Sequence, residues 1–163
     1  MKGRMNMLKI ADVRCEYREN PIGIDVRRPR ISWRLRTEGR SVMQTAYWIQ
    51  VSEDEDFADI LWDTGKVDSD QSIHVAYSGP ALKSETIYYY RVKAWDNRSG
   101  ETGWSDVAYW ETGLLSSEEW KAEWIRQAGG SQEANGACPM LRRDFQVKGK
   151  VKKARIYATA LGL

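Results

Sequence analysis

Residues able to do chemistry are few in this chain, and they are scattered. Its acids gather at Glu53-Asp54-Glu55-Asp56 and again at Glu118-Glu119. Paired carboxylates suit general acid–base hydrolysis when a cleft holds them apart and tunes them differently. Both runs fall in turn-like or capping segments, where solvated acids are ordinary, so neither is expected to be catalytic. His74 is the sole histidine and sits between Ile73 and Val75 in an alternating stretch. It has no cysteine nearby and no triad companions, and is expected to face solvent or a neighbouring domain. Cys15 and Cys138 lie 123 positions apart without a CxxC, far short of the roughly four ligands a zinc site needs. Two reduced thiols are expected, with a single bridge between them as the alternative. Trp62, Trp95 and Trp104 could stack on sugar faces, but are expected to fill the core or cover a seam between domains. Asn97-Arg98-Ser99 is a three-residue glycosylation match, too short to carry weight. Gly129-Gly130 lacks the Lys-Ser/Thr follow-up and the helix that a phosphate loop requires. The expected sets of catalytic, cofactor-binding and metal-binding residues are therefore all empty.

The elements that would position such residues read as strands. Ile31, Trp33 and Leu35 alternate with Ser32, Arg34 and Arg36; Tyr47, Ile49 and Val51 repeat the pattern. A short helical turn is expected from Phe57 to Ile60, then extended chain at Leu61-Trp62-Asp63. Ile73, Val75 and Tyr77 form another set, and Tyr88, Tyr90, Val92 and Ala94 mark the longest strand. Asp96-Asn97-Arg98-Ser99-Gly100 is a turn, and Trp104 to Thr112 closes the series. With a segment near Val13, about seven strands occupy the first hundred or so residues, a spacing that predicts an antiparallel β-sandwich. Leu114 to Trp120 carries a serine cap followed by acids, which suits a short helix or turn. Gly-, Ser- and Ala-rich residues 127–137 read as a loop. Strand alternation returns at Leu141 to Val147 and Val151 to Ala158. Two strands bury too little to be stable alone, so they belong either to the first sandwich or to an incomplete second domain. The expected organisation is a sandwich over 8–113, a linker over 114–137, and the start of a second β-sandwich over 138–163.

Composition sets outer bounds. The 163 residues are 42% hydrophobic, 29% charged and 11% aromatic, with eight Trp, eight Tyr and two Phe. That is enough apolar material for a core, so wholesale disorder is excluded. No apolar run reaches the length of a membrane helix. Met1 to Ile10 lacks a continuous apolar stretch, so no secretory signal is read and a cytoplasmic setting is expected. The net charge of +2 hides a balance of +6 over residues 1–40, −10 over 41–120 and +6 over 121–163. Lys148, Lys150, Lys152, Lys153 and Arg155 could suggest nucleic acid. Arg27, Arg28, Arg30, Arg34 and Arg36, however, sit where apolar residues alternate with them, as on the wet face of a strand. Attraction between blocks within the molecule or its parent is the expectation, with no nucleic acid and no membrane as partners.

Particular motifs then narrow the reading. Leu82-Lys83-Ser84-Glu85-Thr86-Ile87-Tyr88-Tyr89-Tyr90-Arg91-Val92-Lys93-Ala94 resembles the sixth strand of a fibronectin type III module, with Ser84 where that family has Pro. The resemblance implies that Tyr88 is the corner tyrosine, that Trp33 is the module's buried Trp, and that Gly100 to Ser105 enters the last strand. A narrower resemblance runs along nearly the whole chain. Glu19-Asn20-Pro21-Ile22-Gly23-Ile24-Asp25, Arg28-Pro29-Arg30-Ile31-Ser32-Trp33 and Gly65-Lys66-Val67-Asp68-Ser69-Asp70-Gln71-Ser72 are similar to the N-terminal region of bacterial α-L-rhamnosidases, glycoside hydrolase family 78. Trp120-Lys121-Ala122-Glu123-Trp124-Ile125 resembles that family's link into its next sandwich. Leu141 to Phe145 and Ala154 to Tyr157 resemble the opening strands beyond it. The family's chemistry lies far downstream, in an (α/α)₆ barrel that inverts at the sugar carbon, and no position here matches its catalytic acids. The resemblance therefore implies a non-catalytic accessory region whose partners are the downstream β-sandwich and barrel, with carbohydrate as a further candidate and no cofactor. A free-standing carbohydrate-binding module and a receptor-type protein-interaction module are the alternatives.

Overall fold

The computed structural model describes residues 8–98, 100–126 and 140–160. Eight strands run β1 Lys9–Cys15, β2 Arg30–Arg36, β3 Gln44–Ser52, β4 Ile60–Asp63, β5 Val67–Asp68, β6 Val75–Ala76, β7 Ile87–Asp96 and β8 Ala108–Glu111. They form two antiparallel sheets. One has the order β1-β2-β6; the other is β4-β3-β7-β8, with β5 also paired to β3. This is the antiparallel β-sandwich that the alternation predicts, of the immunoglobulin/fibronectin III-like kind that the resemblance implies.

Register explains which side chains meet. Across β3 and β7, Ile49 opposes Val92 and Val51 opposes Tyr90; across β7 and β8, Tyr88 opposes Trp110. These inward pairs alternate with outward ones, Trp48 opposite Lys93 and Gln50 opposite Arg91. Because strand faces alternate with period two, a slip of one residue would turn every one of these groups over. Trp33, Tyr47, Ile49, Val51, Tyr88, Tyr90 and Val92 are all buried in one core with Trp110. Arg34, their polar neighbour on β2, is exposed.

Three motifs have clear structural work. The Tyr88 hydroxyl accepts a hydrogen bond of 2.7 Å from the backbone N–H of Lys83, the corner geometry that the resemblance implies. Ser84 replaces the family's Pro and uses its hydroxyl instead: it accepts from the Leu115 N–H at 2.9 Å and donates to Glu119 at 2.6 Å. Glu119 also accepts from the Ser116 N–H, while the Ser116 hydroxyl accepts from Glu118 N–H. This reciprocal cap closes a 3-10 turn over Ser117–Glu119.

The Pro21 to Ile24 stretch covers the outer edge of β8. Glu111 N–H donates to Pro21 carbonyl, Ile24 N–H to Glu111 carbonyl and Gly113 N–H to Ile24 carbonyl. An edge strand left open would template pairing with other chains, so this strap protects it. The approach is close: a Cβ on Gly113 would lie 3.1 Å from the Gly23 carbonyl oxygen. The Gly65 to Gln71 stretch is tied to the core through Gln44. Its amide donates to the carbonyls of Ser69 and Gln71, and its oxygen accepts from the Trp33 indole at 2.8 Å.

Some expectations need correcting. The acidic run ends in a single hydrogen-bonded turn, Phe57 N–H to Asp54 carbonyl, and Ile60 already begins β4. Phe57 takes a left-handed φ of 56°, which a helix could not contain. The Ile73-Val75-Tyr77 alternation is broken because His74 has φ 56°. Val75 and Tyr77 point inward while Ile73 is turned out to solvent. The closing strand is shorter than Trp104 to Thr112. Before β8, Ser105 instead pairs its N–H and hydroxyl with the Val92 backbone.

The chain divides into two compact units, Met1–Glu119 and Trp120–Leu163. In the second, described residues 120–126 and 140–160 form no strand, although 141–147 and 151–158 carry strand periodicity. A strand is made by a neighbour's hydrogen bonds, and alternation alone does not provide one. Residues 127–137, read as a loop, lie outside the described residues, as does Cys138.

Candidate functional site

The outward face of the β1-β2-β6 sheet carries a groove of about 550 Å³ lined by residues of β1, β2 and the 72–74 segment, with Tyr17 beside them. Its shape comes from unusual backbone. Non-glycine residues rarely adopt positive φ, yet Asp12 (50°), Glu16 (45°), Tyr17 (70°) and His74 (56°) all do so around this one groove. Asp12 lies where the β1–β2 register shifts between Ala11 and Arg14. This bulge re-aims side chains and blunts a sheet edge at once.

The side chains are braced from behind. Glu16 and Arg30 form a forked ion pair, with Nε at 3.1 Å and Nη2 at 2.7 Å from the two carboxylate oxygens. Glu16 also accepts from the Arg30 backbone N–H at 2.7 Å. The Arg30 guanidinium lies 5.3 Å from the Tyr17 ring centroid, within cation–π range. The His74 ring meets Tyr17 edge-on at 4.9 Å, and the His74 backbone N–H donates to the Ser32 hydroxyl. Tyr17 itself remains 63% exposed and Ile73 62% exposed. Arg34 and Asp12 are 3.6 Å apart, and Arg14 and Glu19 3.4 Å, long enough that both guanidiniums keep donors to spare.

Arg30 holds the Glu16 carboxyl below its ordinary value of 4.5, mainly through the side-chain hydrogen bond and against the opposing effect of burial. A lowered folded-state pKa stabilises the fold above the ordinary carboxylate value, and that contribution is lost as pH falls through the folded one. Melting temperature should accordingly fall as the solution is acidified below about pH 4.5. Glu16→Gln should flatten that part of the curve while lowering the plateau at neutral pH, as measured by thermal unfolding across a pH series.

On the opposite sheet, aromatic residues form a different kind of surface. Trp48 stacks near Trp95 at 6.5 Å and meets Trp104 edge-on at 5.6 Å. Cations sit over the rings of Trp95 and Trp104. Lys66 sits 4.7 Å from the Trp95 centroid, and Arg91 lies 4.5 Å from Trp104 and 4.2 Å from Phe57. Arg91 is held by two bonds to Gln50, which in turn donates to Asp63. Burial works to raise the Asp63 pKa, but hydrogen bonds from Gln50, the Gly65 N–H and the Trp48 indole outweigh it and keep the carboxyl low. Trp95 donates to Glu101. These rings are half-buried and already partnered, and Trp62 packs against the core beside Tyr77.

The other singled-out residues serve the fold. Glu53 binds Lys83 at 2.8 Å, while Glu119 closes the cap. Asn97 is committed to the chain near Met43, accepting from its N–H and donating to the Ser41 carbonyl; Ser99 lies outside the described residues. Cys15 is a free, fully buried thiol, pushed up to about 12 by burial and then by Glu16, so it is inert at neutral pH. Among the described residues no group of three or more His, Cys, Asp or Glu is arranged to hold a metal ion. Sequence reasoning missed Tyr17, Arg14 and Asp12. The one available signal, an aromatic outside every alternating set, is too common to have singled out Tyr17.

The profile of the Rha78A-like N-terminal immunoglobulin domain matches residues 10–116. An α-L-rhamnosidase of Streptomyces avermitilis is 37% identical over 133 residues, which is 80% of this chain and 13% of that protein. One from Formosa agariphila is 35% identical over 155 residues, 89% of this chain and 17% of its own length. The crystal structure of the Streptomyces avermitilis enzyme complexed with L-rhamnose superposes with a TM-score of 0.69 at 38% identity, over 73% of this chain and 12% of that one. The α-L-rhamnosidase structure from Dictyoglumus thermophilum gives 0.69 at 36% identity, over 74% and 14%. The chain thus spans about an eighth to a sixth of the relatives it resembles, and over that span it belongs to the Rha78A-like N-terminal immunoglobulin domain family.

Proposed function

We propose that this chain is the non-catalytic N-terminal accessory region of an α-L-rhamnosidase-like glycoside hydrolase. The parent would hydrolyse terminal α-L-rhamnosyl groups from glycosides. The observation that carries this is the match of residues 10–116 to an N-terminal domain whose relatives extend several-fold further. The geometry supports it, because from the two acid runs Glu53 is engaged in a surface ion pair and Glu119 in a helix-type cap. Inversion needs two carboxyls about 6.5–9.5 Å apart across a sugar cleft, and these acids belong to separate loops with structural duties.

In this reading residues 138–163 open a second β-sandwich that the parent completes, and the downstream sandwich and barrel are the chain's partners. The half-buried Trp48, Trp95 and Trp104 suit a seam with such a neighbour, since aromatics that are neither core nor free platform are typical of domain contacts. The purified chain should show no turnover of an aryl α-L-rhamnoside in a chromogenic assay. Hydrolysis by this chain would overturn the accessory assignment.

A further inference from the structure

We propose that the groove beside Tyr17 is a saccharide-binding site. Its size of about 550 Å³ falls in the range of small-ligand sites and admits one or two sugar rings. Its floor and rim have the two chemistries that a sugar requires. The exposed Tyr17 ring and Ile73 side chain offer apolar surface for a face of C–H groups. Arg14, Arg34, Asp12 and Ser32 offer donors and acceptors for the hydroxyls around it.

Charge separates a neutral sugar from other ligands. Both arginines that line the groove face carboxylates, Arg14 with Glu19 and Arg34 with Asp12, and behind them Arg30 has Glu16. Such a balanced rim does not select phosphate or nucleic acid, which call for uncompensated cations. The first two pairs are long and exposed, so their groups can turn to hydroxyls at little cost. The third pair is short and half-buried, and it holds Tyr17 through the cation–π contact rather than meeting a ligand. The concentration of left-handed residues also favours a binding role. Strained backbone is costly and gathers where side chains must be held for a ligand.

The tryptophan face contrasts with this. There the ring faces carry Lys66 and Arg91, so a sugar would have to displace them. Tyr17 also carries a cation, Arg30, but it remains 63% exposed where the tryptophans are half-buried.

The choice of rhamnoside as probe rests on the function proposed above; the saccharide character of the groove does not. The test is a titration of the isotope-labelled chain with methyl α-L-rhamnoside, and with methyl α-D-glucoside in parallel, followed by NMR. Backbone and side-chain signals of Tyr17, Ile73 and His74 should shift saturably, with a dissociation constant in the millimolar range. Tyr17→Ala should weaken binding about tenfold or more, and Arg34→Ala several-fold. Both residues are exposed, so an unchanged melting temperature certifies the fold. Binding of the glucoside alone would support the groove while counting against the rhamnosidase reading. No saturable shift with either sugar, shifts centred on Trp48, Trp95 and Trp104, or binding unaffected by Tyr17→Ala would each overturn the proposal.

Discussion

Trp110→Ala is expected to bring the sandwich to the edge of unfolding. Trp110 is fully buried, with ring centroids of Tyr90 at 5.2 Å, Tyr88 at 5.6 Å and Tyr77 at 6.0 Å. Deleting a buried indole removes its transfer free energy and leaves a void that rigid strands cannot close. Such changes cost about 3–5 kcal/mol, against a total of roughly 5–15 kcal/mol for an ordinary domain. Trp110→Phe should cost much less. The indole N–H makes no hydrogen bond in its buried site, so phenylalanine forfeits volume but no polar contact. Urea unfolding followed by circular dichroism distinguishes the two. Equal midpoints for the Ala and Phe variants would refute this account of the core.

The second large effect is a difference of sign between two tyrosines on one strand. Tyr88→Phe leaves the Lys83 N–H without its acceptor and should cost about 1–3 kcal/mol. Tyr90→Phe should leave stability unchanged or raise it. Tyr90 is equally buried, yet its hydroxyl finds no partner, and burial, with a smaller effect from Cys15, pushes its ionisation well above the ordinary range. An unmade hydrogen bond in the interior is a cost that phenylalanine removes. Thermal melts of both variants against the parent sequence give the answer. A loss of equal size in both would show that the corner bond contributes nothing particular.

These contrasts mark where the sequence is informative. Alternation on β2, β3 and β7 assigns Trp33, Ile49, Val51, Tyr88, Tyr90 and Val92 to one face, because a half-buried strand has only two phases and one must be apolar. Tyr88 could be given a hydroxyl partner in advance because the resemblance to a fibronectin type III module implies a corner tyrosine there. Chain reversals carry no such period. His74 and Phe57 adopt left-handed backbone although neither is Gly or Asn, and the surrounding fold imposes it. Alternation therefore fails at the phase of Ile73, and local propensity fails at the helical turn expected from Phe57 to Ile60. The groove was illegible for the same reason. His74 is far from Asp12 and Tyr17 in sequence, and the three come together only through a bulge and left-handed turns. The tail shows the opposite failure. Residues 141–147 and 151–158 have the period of strands without the neighbours that convert period into sheet, so alternation there states a capacity that other residues must complete.

The central claim, that this chain is the leading part of a larger hydrolase, is tested most directly by reading the coding sequence beyond the codon for Leu163. The account predicts an open frame of several hundred further codons, first completing a second β-sandwich and then encoding a long helical region with the acids of an inverting hydrolase. A stop codon directly after Leu163, together with a purified chain that is a stable monomer with its tail in a closed sheet, would contradict it.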